Sequence, residues 1–240
     1  VGSEMCIRDR TLIVHLLYLG MRTVEFNHPP ITNKFEIFSL LSFSLAFSYF
    51  LLELSTDIRS TGLFIMVLSF IFQIISSIFI EDLTNVKEVL QNRMLGMHVI
   101  SALLGYSGIT ISAVYAFLFV VQYKRIKMNK FGLFFERLPS LELLEKLTVV
   151  SVIIGFILLS IAIIIGGIWL PSAFPDFSYL DPKLLGTFAV WLIYFSGLLY
   201  KWIKGFYGKK FMIFSLVGFV TAILSLVISS IITNSFHNFY

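Results

Sequence analysis

The 240 residues predict an all-α fold, a polytopic transmembrane helix bundle of six full spans plus a truncated N-terminal span. Three observations predict it. Hydrophobic residues make up 58% of the chain and charged residues 13%, with a mean hydropathy of +0.90, where soluble domains run at roughly 45–50% and about 25%. The apolar residues gather into runs near the length that crosses a bilayer, about 20 residues at 1.5 Å of rise each. Those runs are continuous rather than alternating, so they form helices and not the roughly ten-residue strands of a barrel. A soluble globule is excluded. So is a disordered chain, because 26 Phe and 10 Tyr are the reverse of the weakly hydrophobic signature of disorder.

In chain order, Val1–Arg10 is polar, carries four of the 32 charges and lacks helical or strand periodicity. It resembles a sequencing read-through scar and is expected to be a non-native or disordered tail, leaving 11–240 as a single transmembrane domain. Thr11–Gly20 is apolar but about half a span long, which reads as a first helix without its start. Six full spans are expected at Ile37–Leu54, Gly62–Ile80, Met97–Val121, Thr148–Leu170, Leu184–Ile203 and Phe211–Thr233. None has Asp, Lys or Arg at its centre. Glu53 lies at the end of the first full span and is expected to snorkel to the interface. Gln122–Leu147 reads as a short amphipathic connector, and Gly105 and Gly166-Gly167 as places where helices approach closely.

Lys and Arg between the spans set the orientation. Ser55–Thr61, Gln122–Leu147 and Lys201–Lys210 hold one, six and four; Met21–Glu36, Glu81–Gly96, Pro171–Lys183 and the C-terminal tail hold two, two, one and none. The sets alternate along the chain, so the richer one is cytoplasmic. Loops of this kind account for the net charge of +4 without a nucleic-acid partner. The carboxylates lean the other way. His98, at the outer start of the third full span, and His237, beyond the outer end of the sixth, therefore come out on one face of the membrane, with His28 and the Pro171–Lys183 loop. His15 alone lies within an apolar segment, the truncated one.

An imidazole at a helix end can ligate a metal, hold a haem iron or sit solvated and idle. A structural zinc site needs four N or S ligands, and Cys6 is the one cysteine. Haem iron needs one or two axial ligands and an apolar, aromatic-walled pocket. Trp169, Phe174, Phe177 and Tyr179 supply such faces around the outer loop, although an interfacial aromatic belt would use the same residue types. Two prolines and the Asp181-Pro182 pair shape the loop. No dinucleotide, Walker, HExxH or GxSxG motif occurs in a credible context.

Trp169–Lys183, ending Asp181-Pro182-Lys183 and followed by the aromatic helix with Trp191, resembles the tryptophan-rich WWD region of the cytochrome c assembly superfamily, which includes the CcsA (ResC) and CcmC types. Three other stretches agree in order. His28-Pro29-Pro30-Ile31-Thr32-Asn33-Lys34-Phe35-Glu36 looks like the family's His-x-Pro-hydrophobic-x-Asn-x-x-Glu segment. Gly96-Met97-His98 with Leu104-Gly105-Tyr106 is similar to its outer histidine opening a helix, and Phe236-His237-Asn238 to its second.

The resemblance implies a plasma-membrane protein that holds haem b on the outer face. His98 and His237 would be the axial ligands, and Trp169, Phe174, Phe177, Tyr179 and Asp181 would line the pocket. It would present haem for attachment to apocytochrome c, alongside a ResB-type membrane subunit, with no protein nucleophile of its own. The chain also departs from the family. Phe174, Pro175, Phe177, Ser178 and Leu180 stand where the family carries tryptophans and glycines, and the first full span holds no histidine. A HemX-like membrane regulator of haem biosynthesis is therefore the alternative. A secondary transporter ranks below both, because the sequence has neither inverted repeats nor midplane polar groups.

Overall fold

The computed structural model describes residues 2–56, 58, 61–80, 86–129, 138–174 and 178–231, with 2–5 and 229–231 as backbone only. Among them are seven α-helices and no strand: α1 Gly2–Phe26, α2 Lys34–Thr56, α3 Gly62–Ile78, α4 Arg93–Lys127, α5 Leu141–Ala173, α6 Pro182–Lys204 and α7 Lys209–Ile231. A 3-10 turn, Glu88–Gln91, precedes α4. Five of the seven, α2, α4, α5, α6 and α7, are long and apolar enough to cross a membrane. The α3 helix is apolar but has 17 residues, about 26 Å. The α1 helix takes in the polar residues from Gly2 onward as well as the apolar stretch after them.

The helices α4 and α5 overrun their apolar runs. At 35 and 33 residues they extend about 50 Å, some 20 Å beyond the hydrocarbon thickness. Lys124, Arg125 and Lys127 fill the last turn of α4, where cations meet the negative end of the helix dipole. Ser140 caps α5, its hydroxyl accepting from the Leu143 N–H at 3.3 Å. Much of the expected 122–147 connector is thus helix, and 130–137 lie outside the described residues. At the other end α5 continues through Pro171 to Ala173, so Trp169 stands on the last helical turns and the loop begins later than expected.

Side-chain contacts give an up-and-down topology. His15 meets Ser39 at 3.0 Å and Arg22 pairs with Glu36, which makes α1 antiparallel to α2. Ser42 with Ser69, and Ser76 with the Phe35 carbonyl, do the same for α2 and α3. Against α4, α5 runs antiparallel through Gly105–Leu159 and Gly108–Gly155; α6 runs antiparallel to α7 through Gly186–Ser225 and Gly197–Phe214. Ser112–Ser215 ties α7 to α4, and Tyr106–Thr187 ties α6 to α4. The starts of α2, α4 and α6 and the ends of α1, α5 and α7 consequently share one end of the bundle. The opposite end gathers Lys124, Arg125 and Lys127 with Lys146, Lys201, Lys204, Lys209 and Lys210, and there the Glu145 carboxylate accepts from the Gly208 N–H at 2.8 Å.

The α5 helix shows how a helix with an apolar middle can still have two faces. Val152, Gly155, Leu159, Ala162, Gly166 and Leu170 are buried at three- and four-residue spacing. Ile154, Ile157, Ile161, Ile164 and Ile168 form the opposite stripe and are exposed. Gly155, Ala162 and Gly166 put small residues on the packed face while isoleucines take the lipid-facing side, as expected where lipid is as apolar as the core. The main core centres on Tyr49, Tyr115, Tyr194, Ile65, Ile109 and Phe211. Glu53 is buried and ion-paired with Arg8 rather than snorkelled.

Candidate functional site

A second, smaller apolar cluster sits at the end of the bundle where α4 begins. Leu19, Ile31, Leu40, Leu90, Leu95 and Leu170 are its buried members, with Val99, Trp169 and Phe174 packed against it. These residues come from α1, the 28–36 segment, α2, the 3-10 turn, α4 and the end of α5. The helical hairpins bring them together.

His98, one turn into α4, is half-buried, and its Nδ1 lies 2.8 Å from the Ala162 carbonyl of α5. The ring lies against Gly166: a Cβ there would come within 2.8 Å of Cε1 and 2.9 Å of Nδ1. Leu170, one turn further on, is fully buried in the same cluster. The start of α4 is fixed from its other side as well. Gly96, two residues before His98, faces Pro29, whose Cβ and Cγ would be 2.7 Å from a side chain at that position.

The aromatic residues divide. Trp169 and Phe174 meet edge to face at 6.5 Å between ring centroids, an arrangement favoured by the aromatic quadrupole. Phe174 ends α5, its N–H bonding the Leu170 carbonyl at 3.1 Å. Tyr179 is exposed. Asp181 is buried and is the N-cap of α6: its carboxylate accepts from the Lys183 N–H at 2.8 Å, with Pro182 at the first helical position. Phe177 and His237 lie outside the described residues. The α7 helix, which leads toward His237, ends at the same end of the bundle as His98.

The 28–36 segment is an ordered buried network. Asn27 takes a left-handed conformation, φ 60°, which Asn tolerates through its short polar side chain, and ends α1. Arg22 then reaches in from α1 to pair with Glu36 and to donate to the His28 carbonyl at 2.7 Å and to His28 Nδ1 at 2.9 Å. The Glu36 carboxylate also accepts from the Thr32 N–H and hydroxyl at 2.8 and 2.7 Å. Asn33 Oδ1 caps α2 by accepting from the Glu36 N–H at 2.8 Å. Arg22 escapes a sequence reading because it stands before the motif rather than in it. Gly166 is the close helix approach its sequence reading expected, but Ala162 escapes because a backbone carbonyl carries no composition signal, and the histidine that meets them was not readable.

Residues 31–237 match the family described as cytochrome c assembly protein. The chain is 25% identical over 228 residues to cytochrome c biogenesis protein CcsA of Mesostigma viride, covering 85% of this chain and 75% of that protein. It is 26% identical over 250 residues to CcsA of Prochlorococcus marinus strain AS9601, covering 92% and 80%. To protein HemX of Bacillus subtilis strain 168 it is 32% identical over 120 residues, half of this chain and 44% of that protein. With a match that runs from the buried 28–36 network to the C-terminal histidine, this chain belongs to the cytochrome c assembly protein family.

Proposed function

We propose that this protein takes part in cytochrome c biogenesis by holding haem b on the extracytoplasmic face of the plasma membrane. His98 and His237 are the axial ligands in this reading, and Trp169, Phe174, Phe177 and Tyr179 are the walls. The observation that carries it is His98 at the same bundle end as the Trp169–Phe174 pair, with Nδ1 engaged by a carbonyl. A neutral imidazole bonded in that way and a set of apolar ring faces suit an iron macrocycle. The match to CcsA proteins over most of the chain supports the same role. Asp181 contributes by setting where α6 begins and so where the loop ends.

The chemistry of attachment belongs to the haem vinyl groups and the acceptor cysteines. The protein's part is to hold the macrocycle at a fixed depth against apocytochrome c, which raises the effective concentration of the reacting groups. A ResB-type membrane subunit completes the assembly in this reading. In this reading α3 is the second of the six full spans and α1 the truncated one, and the basic bundle end is cytoplasmic.

Purified protein made with ample haem tests the reading. A bis-histidine Soret band and a sharp reduced α band are expected in the wild type and lost in both His98→Ala and His237→Ala. The HemX-like alternative, a membrane regulator of haem synthesis without stable haem, is favoured by the 32% identity to HemX over half the chain. Folded wild-type protein that stays colourless selects it.

A further inference from the structure

Resting on the proposed haem-ligand role of His98, we infer that Gly166 and the Ala162 carbonyl are a positioning seat that fixes the tautomer and orientation of that imidazole. A carbonyl oxygen can only accept, so the 2.8 Å contact puts the proton on Nδ1. In the neutral ring the lone pair then belongs to Nε2, the nitrogen state an iron can bind. Among the described residues no hydrogen bond engages Nε2. The bond at Nδ1 also makes Nε2 the stronger donor.

The seat depends on a missing atom. The Ala162 carbonyl faces the N–H of residue 166 along the helix, and its second lone pair can be reached only where nothing covers it. Gly166 leaves it open, because a Cβ there would come within 2.8 Å of Cε1, 2.9 Å of Nδ1 and 3.4 Å of Leu170 Cδ1. Gly167 beside it meets nothing within 4 Å. Of the two adjacent glycines, only the first touches the histidine, and the close approach expected of both holds for Gly166 alone. The ring cannot retreat by moving its helix, since Gly96 is already pressed on Pro29.

The test compares wild type, Gly166→Ala and Gly167→Ala, first without haem and then with it. Nitrogen-15 spectra of histidine-labelled, haem-free protein in micelles should show His98 protonated on Nδ1 in the wild type and in Gly167→Ala. Gly166→Ala should lose that signature. After loading with haem, Gly166→Ala should retain it about 10–100-fold less well, the range typical of a lost outer-shell partner. The residual haem should have a raised midpoint potential, because a weaker imidazole donor stabilises ferric iron less. Gly167→Ala should match the wild type in both. The wild-type tautomer needs no variant: a proton on Nε2 overturns the inference, as do equal haem retention and potential in the two variants. Colourless wild type in which Gly166→Ala still shifts the tautomer overturns the haem reading and leaves the seat standing.

Discussion

At the residue scale the costliest groups to bury are Arg22 and Glu36, 6% and 3% exposed. An ion pair in such a place is tolerated only because further hydrogen bonds satisfy what the pair leaves over. Here Thr32 and the carbonyls of the 28–36 segment do so. Removing one partner strands the other. Arg22→Met and Glu36→Leu should each destabilise the protein by about 3–5 kcal/mol, and the double variant by clearly less than their sum, as read by detergent unfolding. Full additivity would mean that the two do not act as a pair. Asp181 is a milder case. Asp181→Ala should cost about 1 kcal/mol through the lost N-cap, with Asp181→Asn near the wild type. A far larger loss in haem retention than in stability for Asp181→Asn would show a direct role at the ligand.

At the element scale the α4–α5 hairpin carries the site, and its seam decides how firmly His98 is held. Gly108 and Gly155 meet backbone to backbone: a Cβ on Gly155 would lie 2.9 Å from the Gly105 carbonyl oxygen, and one on Gly108 2.8 Å from Gly155 Cα. Backbone cannot step aside as a long side chain can. Gly155→Ala should therefore cost about 1–3 kcal/mol by overpacking, while Ile157→Ala on the exposed stripe should lower the melting temperature far less; equal shifts would count against the seam. The apolar runs made this helix pair legible in the sequence to within a turn or two. Its polar extensions were not legible, because Lys, Arg and Glu form helix as readily as Leu and hydropathy cannot see them.

At the scale of the whole molecule the alternation of helices brings the separate motifs to one end. The segments 28–36, 96–106 and 169–183 were readable as types, and the apolar runs placed them near helix ends. Which of them touch was not readable. Trp169 and Phe174 pack into the His98 end, Tyr179 stands exposed, and Asp181 caps a helix. Cys6 is the one cysteine of the sequence, so a Cys6→Ser background allows a clean topology test. Single cysteines at Tyr179 and at Lys127 should react with an impermeant reagent from opposite sides of the membrane. Labelling of both from one side would break the alternation on which the site depends.

By itself the sequence determined a helical membrane protein of the cytochrome c assembly type, because the length and apolarity of its runs leave lipid as the only suitable solvent and its motifs stand in the family's order. Tertiary structure alone decided that His98 is seated on a carbonyl uncovered by Gly166, that Arg22 organises the 28–36 segment and that Glu53 is buried. Those facts depend on which helix faces meet and how closely, and periodicity along one chain contains neither.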